Sequence, residues 1–194
     1  MTEALDEVLI FNKKKKYENK KVNLSTGTRK QTFPASVTDG SETATLIKNP
    51  KHKKGKLTEL HLKLNYISNE DYKTYQTYYR LAFYAIKDNG YPGEILYYEN
   101  IIIKPDINTR NHKLNFEDKT IPFTEKGIFI GIETVKPNSV KLETSMYLTT
   151  PNILYTHSKQ NLEYSRYRSN NWNKKTRKSV FKKSCTLLLL LRSK

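Results

Sequence analysis

Residues 80–103 read RLAFYAIKDNGYPGEILYYENIII, and the folding of this stretch decides how the rest of the chain is read. Leu81 and Phe83 alternate with Ala82, Tyr84 and Ile86, so a strand here carries apolar side chains on both faces. Asp88-Asn89-Gly90 is a hairpin signal, because Asn-Gly accepts the positive φ of a tight β-turn. Tyr91-Pro92-Gly93 is a second turn, with Pro setting one φ and Gly free to take the next. The two together predict a compact double bend with Tyr91 at its centre. ILYYENIII is then expected to return as a strand that Pro105 ends.

The same rhythm extends in both directions. In KLTELHLKLNYIS, Leu60, Leu62, Leu64 and Tyr66 alternate with Glu59, His61, Lys63 and Asn65, which predicts one buried and one wet face. NEDYKTYQTY reads as a polar connection and NPKHKKGK as a basic loop. A strand is expected from Ile128 to Val135, with Gly131 inside it as a bulge or a point of close packing. VKLETSMYLTT at 140–150 alternates again and stops at Pro151. No stretch has the period of an amphipathic helix, and no internal repeat is present. The fold class is therefore all-β: an antiparallel β-sandwich of jelly-roll type with basic, partly disordered flanks.

The expected layout has four parts. Residues 1–12 form one strand, LDEVLIF, belonging to a preceding domain or arm, and 13–42 form a basic linker. The sandwich spans 43–184, and 185–194 form an atypical tail around the homopolymer Leu187–Leu191.

Charge is distributed unevenly. The formal net charge is +16, but residues 57–158 carry eleven basic against twelve acidic residues. Residues 13–30 carry eight Lys/Arg against Glu18, and residues 159–194 carry eleven against Glu163. A nucleic-acid module usually shows its basic stripe on the fold itself, whereas basic flanks solubilise or attract polyanions weakly. With 14 Tyr and 7 Phe, the chain is too aromatic to be disordered throughout. The single Cys185 permits no intrachain disulfide. No run approaches the roughly 20 apolar residues that span a bilayer, and MTEALDEVLIF lacks the features of a signal peptide.

Catalytic motifs are missing from the sequence. The four histidines, His52, His61, His112 and His157, include no HExxH, and no GxSxG, GxGxxG or GxxxxGK[ST] occurs. Adjacent acids such as Glu70/Asp71 and Glu117/Asp118 point to opposite sides of an extended chain and cannot flank one bond. No catalytic residue, metal ligand or cofactor is expected. The segment YSRYRSNNWNKK interleaves Tyr164, Tyr167 and Trp172 with Arg166 and Arg168, a pattern suited to stacking on rings. The competing reading makes it an edge strand with Trp172 closing the core.

LDEVLI at 5–10, the 80–103 hairpin, KGIFIGIETV at 126–135 and Trp172 together resemble the carboxypeptidase-like regulatory-domain proteins of Bacteroidetes-type bacteria. Leu5-Asp6-Glu7-Val8-Leu9-Ile10 is similar to the closing strand of the small regulatory domain. Arg80, Phe83, Tyr84, Gly90, Pro92, Gly93 and Leu96 fall on the hairpin pattern of the sandwich that follows it. The resemblance covers 5–10 and 57–181, and the Leu-rich end departs from it. It implies that the chain begins at the last strand of a regulatory domain, with an export signal upstream.

The resulting expectation is a non-enzymatic binding or scaffolding module of a cell-envelope protein, periplasmic or associated with the outer membrane. Its partner would be a glycan or another envelope protein, contacted through Tyr91, Tyr167 and Trp172. The alternative is a polyanion- or nucleic-acid-binding protein that uses the Lys-rich flanks, cytoplasmic if the chain is not exported.

Overall fold

A computed structural model of the chain describes residues 21–26, 32–34, 38–68, 70–143, 147–158, 162–174, 184–187 and 189–193. The strand expected over 1–12 lies outside them. The described residues are all-β and contain no helix, so none long and apolar enough to cross a membrane. The first strands are β1 (Val22–Ser25), β2 (Thr32–Pro34), β3 (Ser41–Lys48), β4 (Gly55–Asn65), β5 (Lys73–Gln76) and β6 (Tyr78–Ile86). Next come β7 (Pro92–Ile95), β8 (Ile101–Ile103), β9 (Asn111–Asn115), β10 (Pro122–Phe123), β11 (Gly127–Val135) and β12 (Tyr147–Thr150). The last are β13 (Asn152–Ser158), β14 (Glu163–Tyr167), β15 (Asn173–Lys174), β16 (Ser184–Leu187) and β17 (Leu189–Ser193).

Two sheets form the sandwich. The front sheet runs β15-β14-β3-β11-β6-β7, with β8 also on β6; the back sheet runs β1-β17-β4-β13-β16, with β9 and β10 on β4 and β2 on β13. The long strands β3, β4, β6, β9, β11, β13 and β14 alternate between front and back in chain order, which is jelly-roll-type traffic. A short parallel pair, β5 with β12, stands apart from both. The core between the sheets combines Leu81, Phe83, Ile128 and Ile130 from the front with Leu57, Leu60, Leu62 and Leu64 from the back.

The expected alternation holds from Leu60 to Leu64, while Tyr66, expected on the buried face, lies past β4 and is exposed. Leu57 is also buried although it breaks the period, because the register with β17 slips there: Arg192 faces Glu59 while Ser193 faces Leu57. Thr58 is thus the extra residue of a bulge that shifts the inward face by one.

Of the three expected boundaries, those at 42/43 and 184/185 fall inside β3 and β16, and the one at 12/13 lies outside the described residues. β1 falls within the expected linker and β17 within the expected tail, and they pair with each other and onto β4. Of the leucine homopolymer, Leu187 ends β16 and Leu189 to Leu191 lie on β17.

Local readings change in three places. The polar connection contains β5, which pairs with β12. Of 140–150, only β12 is a strand among the described residues. The return of the hairpin is two short strands, β7 and β8, both on β6, with Leu96 N donating to Phe83 O at 2.7 Å where they part. Of the two expected turns only the first is present: Pro92 and Gly93 of the second lie in β7, where Pro92 is opposite Ile86. Gly90, at φ 79°, donates to Lys87 O at 2.9 Å, and Asn89 Oδ1 accepts from Tyr91 N at 3.1 Å.

Candidate functional site

The front sheet buries both faces, as the apolar alternation of β6 requires. Its inner face makes the main core. Its outer face carries a second cluster of Ala44, Tyr84, Phe129 and Tyr164, against which Ala82, Tyr91 and Trp172 pack. Register then assembles a polar row beside this cluster. Glu133 on β11 lies opposite Arg80 on β6 and opposite Glu42 on β3, and Glu42 lies opposite Arg166 on β14. The row across four strands is therefore Arg80, Glu133, Glu42, Arg166. The neighbouring row is small, Ala82, Gly131 and Ala44, which leaves an open trough.

Two like charges side by side on a sheet repel, so each needs an opposite partner. Arg80 donates to Glu133 Oε2 through Nε at 2.9 Å and Nη2 at 2.6 Å. Arg166 donates to Glu42 Oε2 through Nε at 2.8 Å, with Nη2 at 2.7 Å from the same oxygen. Tyr84 Oη donates to Glu42 Oε1 at 2.7 Å and accepts from Arg166 Nη2 at 2.8 Å. Burial first, and then the Glu42 carboxylate, push the Tyr84 phenol far above its ordinary value. It remains a donor across the accessible pH range.

Gly131 is what lets Glu42 lie in the trough. A Cβ there would stand 2.2 Å from Glu42 Oε1 and 2.7 Å from Tyr84 Cε2. The register is unbroken at Gly131 on both sides, so of the two expected roles it has close packing, not a bulge.

Of the three residues expected from sequence, Tyr91 and Trp172 pack on the outer cluster beside this row and Tyr167 does not. Trp172 is half-buried, edge-on to Tyr84 at 5.4 Å, with the Arg166 guanidinium 4.3 Å from its ring centroid. It closes the outer cluster and not the core between the sheets. Tyr91 is half-buried, with its ring 4.8 Å from that of Tyr164. Tyr167 ends β14, 44% exposed, with the Arg168 guanidinium 5.1 Å from its ring. The structure brings Tyr91 and Trp172 to one face and Tyr167 to the sheet margin.

The residues that sequence reading missed are Glu42, Tyr84, Arg80 and Glu133, and Arg166 was marked only for its interleaving with aromatic residues. Their row depends on the strand order β14-β3-β11-β6, which no single segment encodes. Gly131 in mid-strand was the one local sign of it.

The trough offers about 540 Å³ of open space, lined by the four charged residues with Tyr84, Ile95 and Arg168 among others. A second cavity, of about 310 Å³, lies beside β5 and β12 among Tyr75, Tyr78, Val135, Leu142 and Tyr147. It lacks a comparable array of fork-shaped polar groups. Among the described residues no group of three or more His, Cys, Asp or Glu is placed to hold a metal ion.

Comparison with protein-family models, with curated proteins and with solved structures returns no match.

Proposed function

We propose that this chain is a non-enzymatic β-sandwich binding module whose outer front-sheet trough takes a saccharide. The observation that carries the reading is the Arg80–Glu133–Glu42–Arg166 row, held on four adjacent strands beside a floor of small residues. Guanidinium and carboxylate groups are planar forks with paired hydrogen-bonding edges, which match neighbouring hydroxyls on a sugar ring. Placement on strands, not loops, holds these edges in fixed directions. Ala82 and the exposed Ile95 supply apolar surface for the ring's C–H face. The space suits a small ligand, since such sites occupy about 300–1,000 Å³.

Hydrolysis fits less well. Glu42 and Glu133 form the kind of carboxylate pair a glycosidase needs, but one of the pair must give a proton to the leaving group. Here each carboxylate accepts from an arginine, and neither is presented as an acid.

The cell-envelope setting implied by the sequence resemblance accords with a glycan ligand. Fractionation of source cells tests it: recovery in the envelope supports the setting, and recovery in the cytosol removes it.

The test of function is calorimetric titration against a panel of neutral and acidic oligosaccharides, with Arg80→Ala as control. Saccharide binding that weakens at least tenfold in Arg80→Ala is expected. No binding across the panel, or binding indifferent to Arg80→Ala, would overturn the reading.

A further inference from the structure

The trough leaves one charge over. Its lining holds three arginines, Arg80, Arg166 and Arg168, against two glutamates, Glu42 and Glu133. The first two arginines are each matched to a glutamate. Among the described residues Arg168 meets no carboxylate, and its guanidinium lies over the Tyr167 ring.

The position of Arg168 is built in. It lies just past β14 at φ 51°, a left-handed backbone that is uncommon outside glycine and marks turns and functional loops. Its N–H donates to Gly40 O at 2.7 Å, and Asn170 N donates to Tyr167 O at 3.2 Å to close the turn. Gly40, itself at φ 79°, leaves room for the side chains above it. A Cβ there would stand 3.2 Å from Arg168 Cγ and 3.4 Å from Tyr167 Cε2. Backbone turn, tyrosine ring and glycine together hold the side chain, and Arg168 lines the wall of the trough beside Ser169.

Building on the saccharide reading, we propose that the trough selects a sugar bearing one carboxylate, a uronic-acid residue, and that Arg168 is the carboxylate's partner. A guanidinium binds a carboxylate through two parallel N–H···O bonds, which a neutral hydroxymethyl group cannot reproduce. Arg80 and Arg166 are not free to do this. An anion on either would compete with a glutamate already in place. One unmatched cation calls for one anionic group per bound ring.

Isothermal titration of the full chain with tri-galacturonic acid and with its methyl ester tests the proposal, and this comparison needs no variant. The acid is expected to bind the wild type at least tenfold more tightly than the ester. In Arg168→Asn, chosen because Asn tolerates the left-handed backbone, the ratio of acid to ester affinity should fall to about one. Arg168→Lys should restore part of the preference. Equal affinity of acid and ester for the wild type overturns the carboxylate assignment while leaving the saccharide reading in place. Binding of neither form also overturns it, and the wider panel then decides separately whether the saccharide reading survives.

Discussion

At the scale of single residues, the outer face depends on an absence, the missing side chain of Gly131. Gly131→Ala would put a methyl group 2.2 Å from Glu42 Oε1, so the carboxylate must leave Tyr84 and Arg166 or the strands must separate. Overpacking of this kind costs about 1–3 kcal/mol, and urea denaturation should show a loss in that range. Gly90→Ala isolates the other role of glycine. Nothing stands within 4 Å of its Cβ position, but φ is 79°. Only backbone strain of about 1–2 kcal/mol is expected there. Tyr84→Phe removes the hydroxyl that links Glu42 to Arg166 and leaves a buried carboxylate short of a partner. The same denaturation experiment should give a loss of about 1–3 kcal/mol.

A different residue on the back sheet governs acid stability. Lys113 first, and then His61, hold Glu59 down from 4.5 to about 2, with Lys113 Nζ at 2.8 Å and His61 Nε2 at 2.5 Å. A carboxyl lowered on folding contributes stability that is complete above its unfolded value and is lost as pH falls through its folded value. The wild type's advantage over Glu59→Gln should therefore be full near pH 6 and shrink between pH 4.5 and about 2. Urea midpoints across that range measure it, and a constant difference would contradict the assignment.

At the scale of elements, β17 connects sequence oddity to architecture. Five leucines in a row have no period, so nothing local identifies their partner. Leu189 to Leu191 pair with β4, some 130 residues away, with β1 on the other side of β17, whereas Leu187 ends β16 opposite Tyr155 of β13. Truncation after residue 188 exposes one edge of β4. The loss of about five ladder hydrogen bonds at about 0.5–1.5 kcal/mol each predicts a fall of roughly 2–7 kcal/mol. Unchanged thermal unfolding of the truncated chain would show that β17 carries no weight in the sheet.

The strands that were legible in sequence share one property: their alternation is local and uninterrupted. β6 and β11 are of this kind, with Phe83 and Ile130 facing inward and Tyr84 and Phe129 outward. Leu57 was not legible, because the bulge at Thr58 is set by β17 and not by β4 itself. The sequence reads as one strand from Ile95 to Ile103, since Leu96 to Glu99 carries no turn residue, but β7 begins at Pro92 inside the expected second turn and β8 only at Ile101. The candidate site was the least legible part. Glu42 and Arg166 are 124 positions apart and meet only through strand order. Aromatic residues attracted notice by type, and two of those three lie around the charged row without forming it.

For the whole molecule, charge separates the account from its rival. Residues 57–158 are near neutral and the excess basic residues lie outside that span, so polyanion binding through them would lose orders of magnitude in affinity as salt rises from about 50 to 200 mM. A trough that takes one singly charged sugar should be far less sensitive. The most direct test is an NMR titration of the ¹⁵N-labelled chain with tri-galacturonic acid and with cellotriose. If the outer front-sheet face is the binding site, shifted amides should gather on β3, β6, β11 and β14 around Glu42, Arg80, Glu133 and Arg166. Shifts confined to the Lys-rich segments, or none with either sugar, would contradict it.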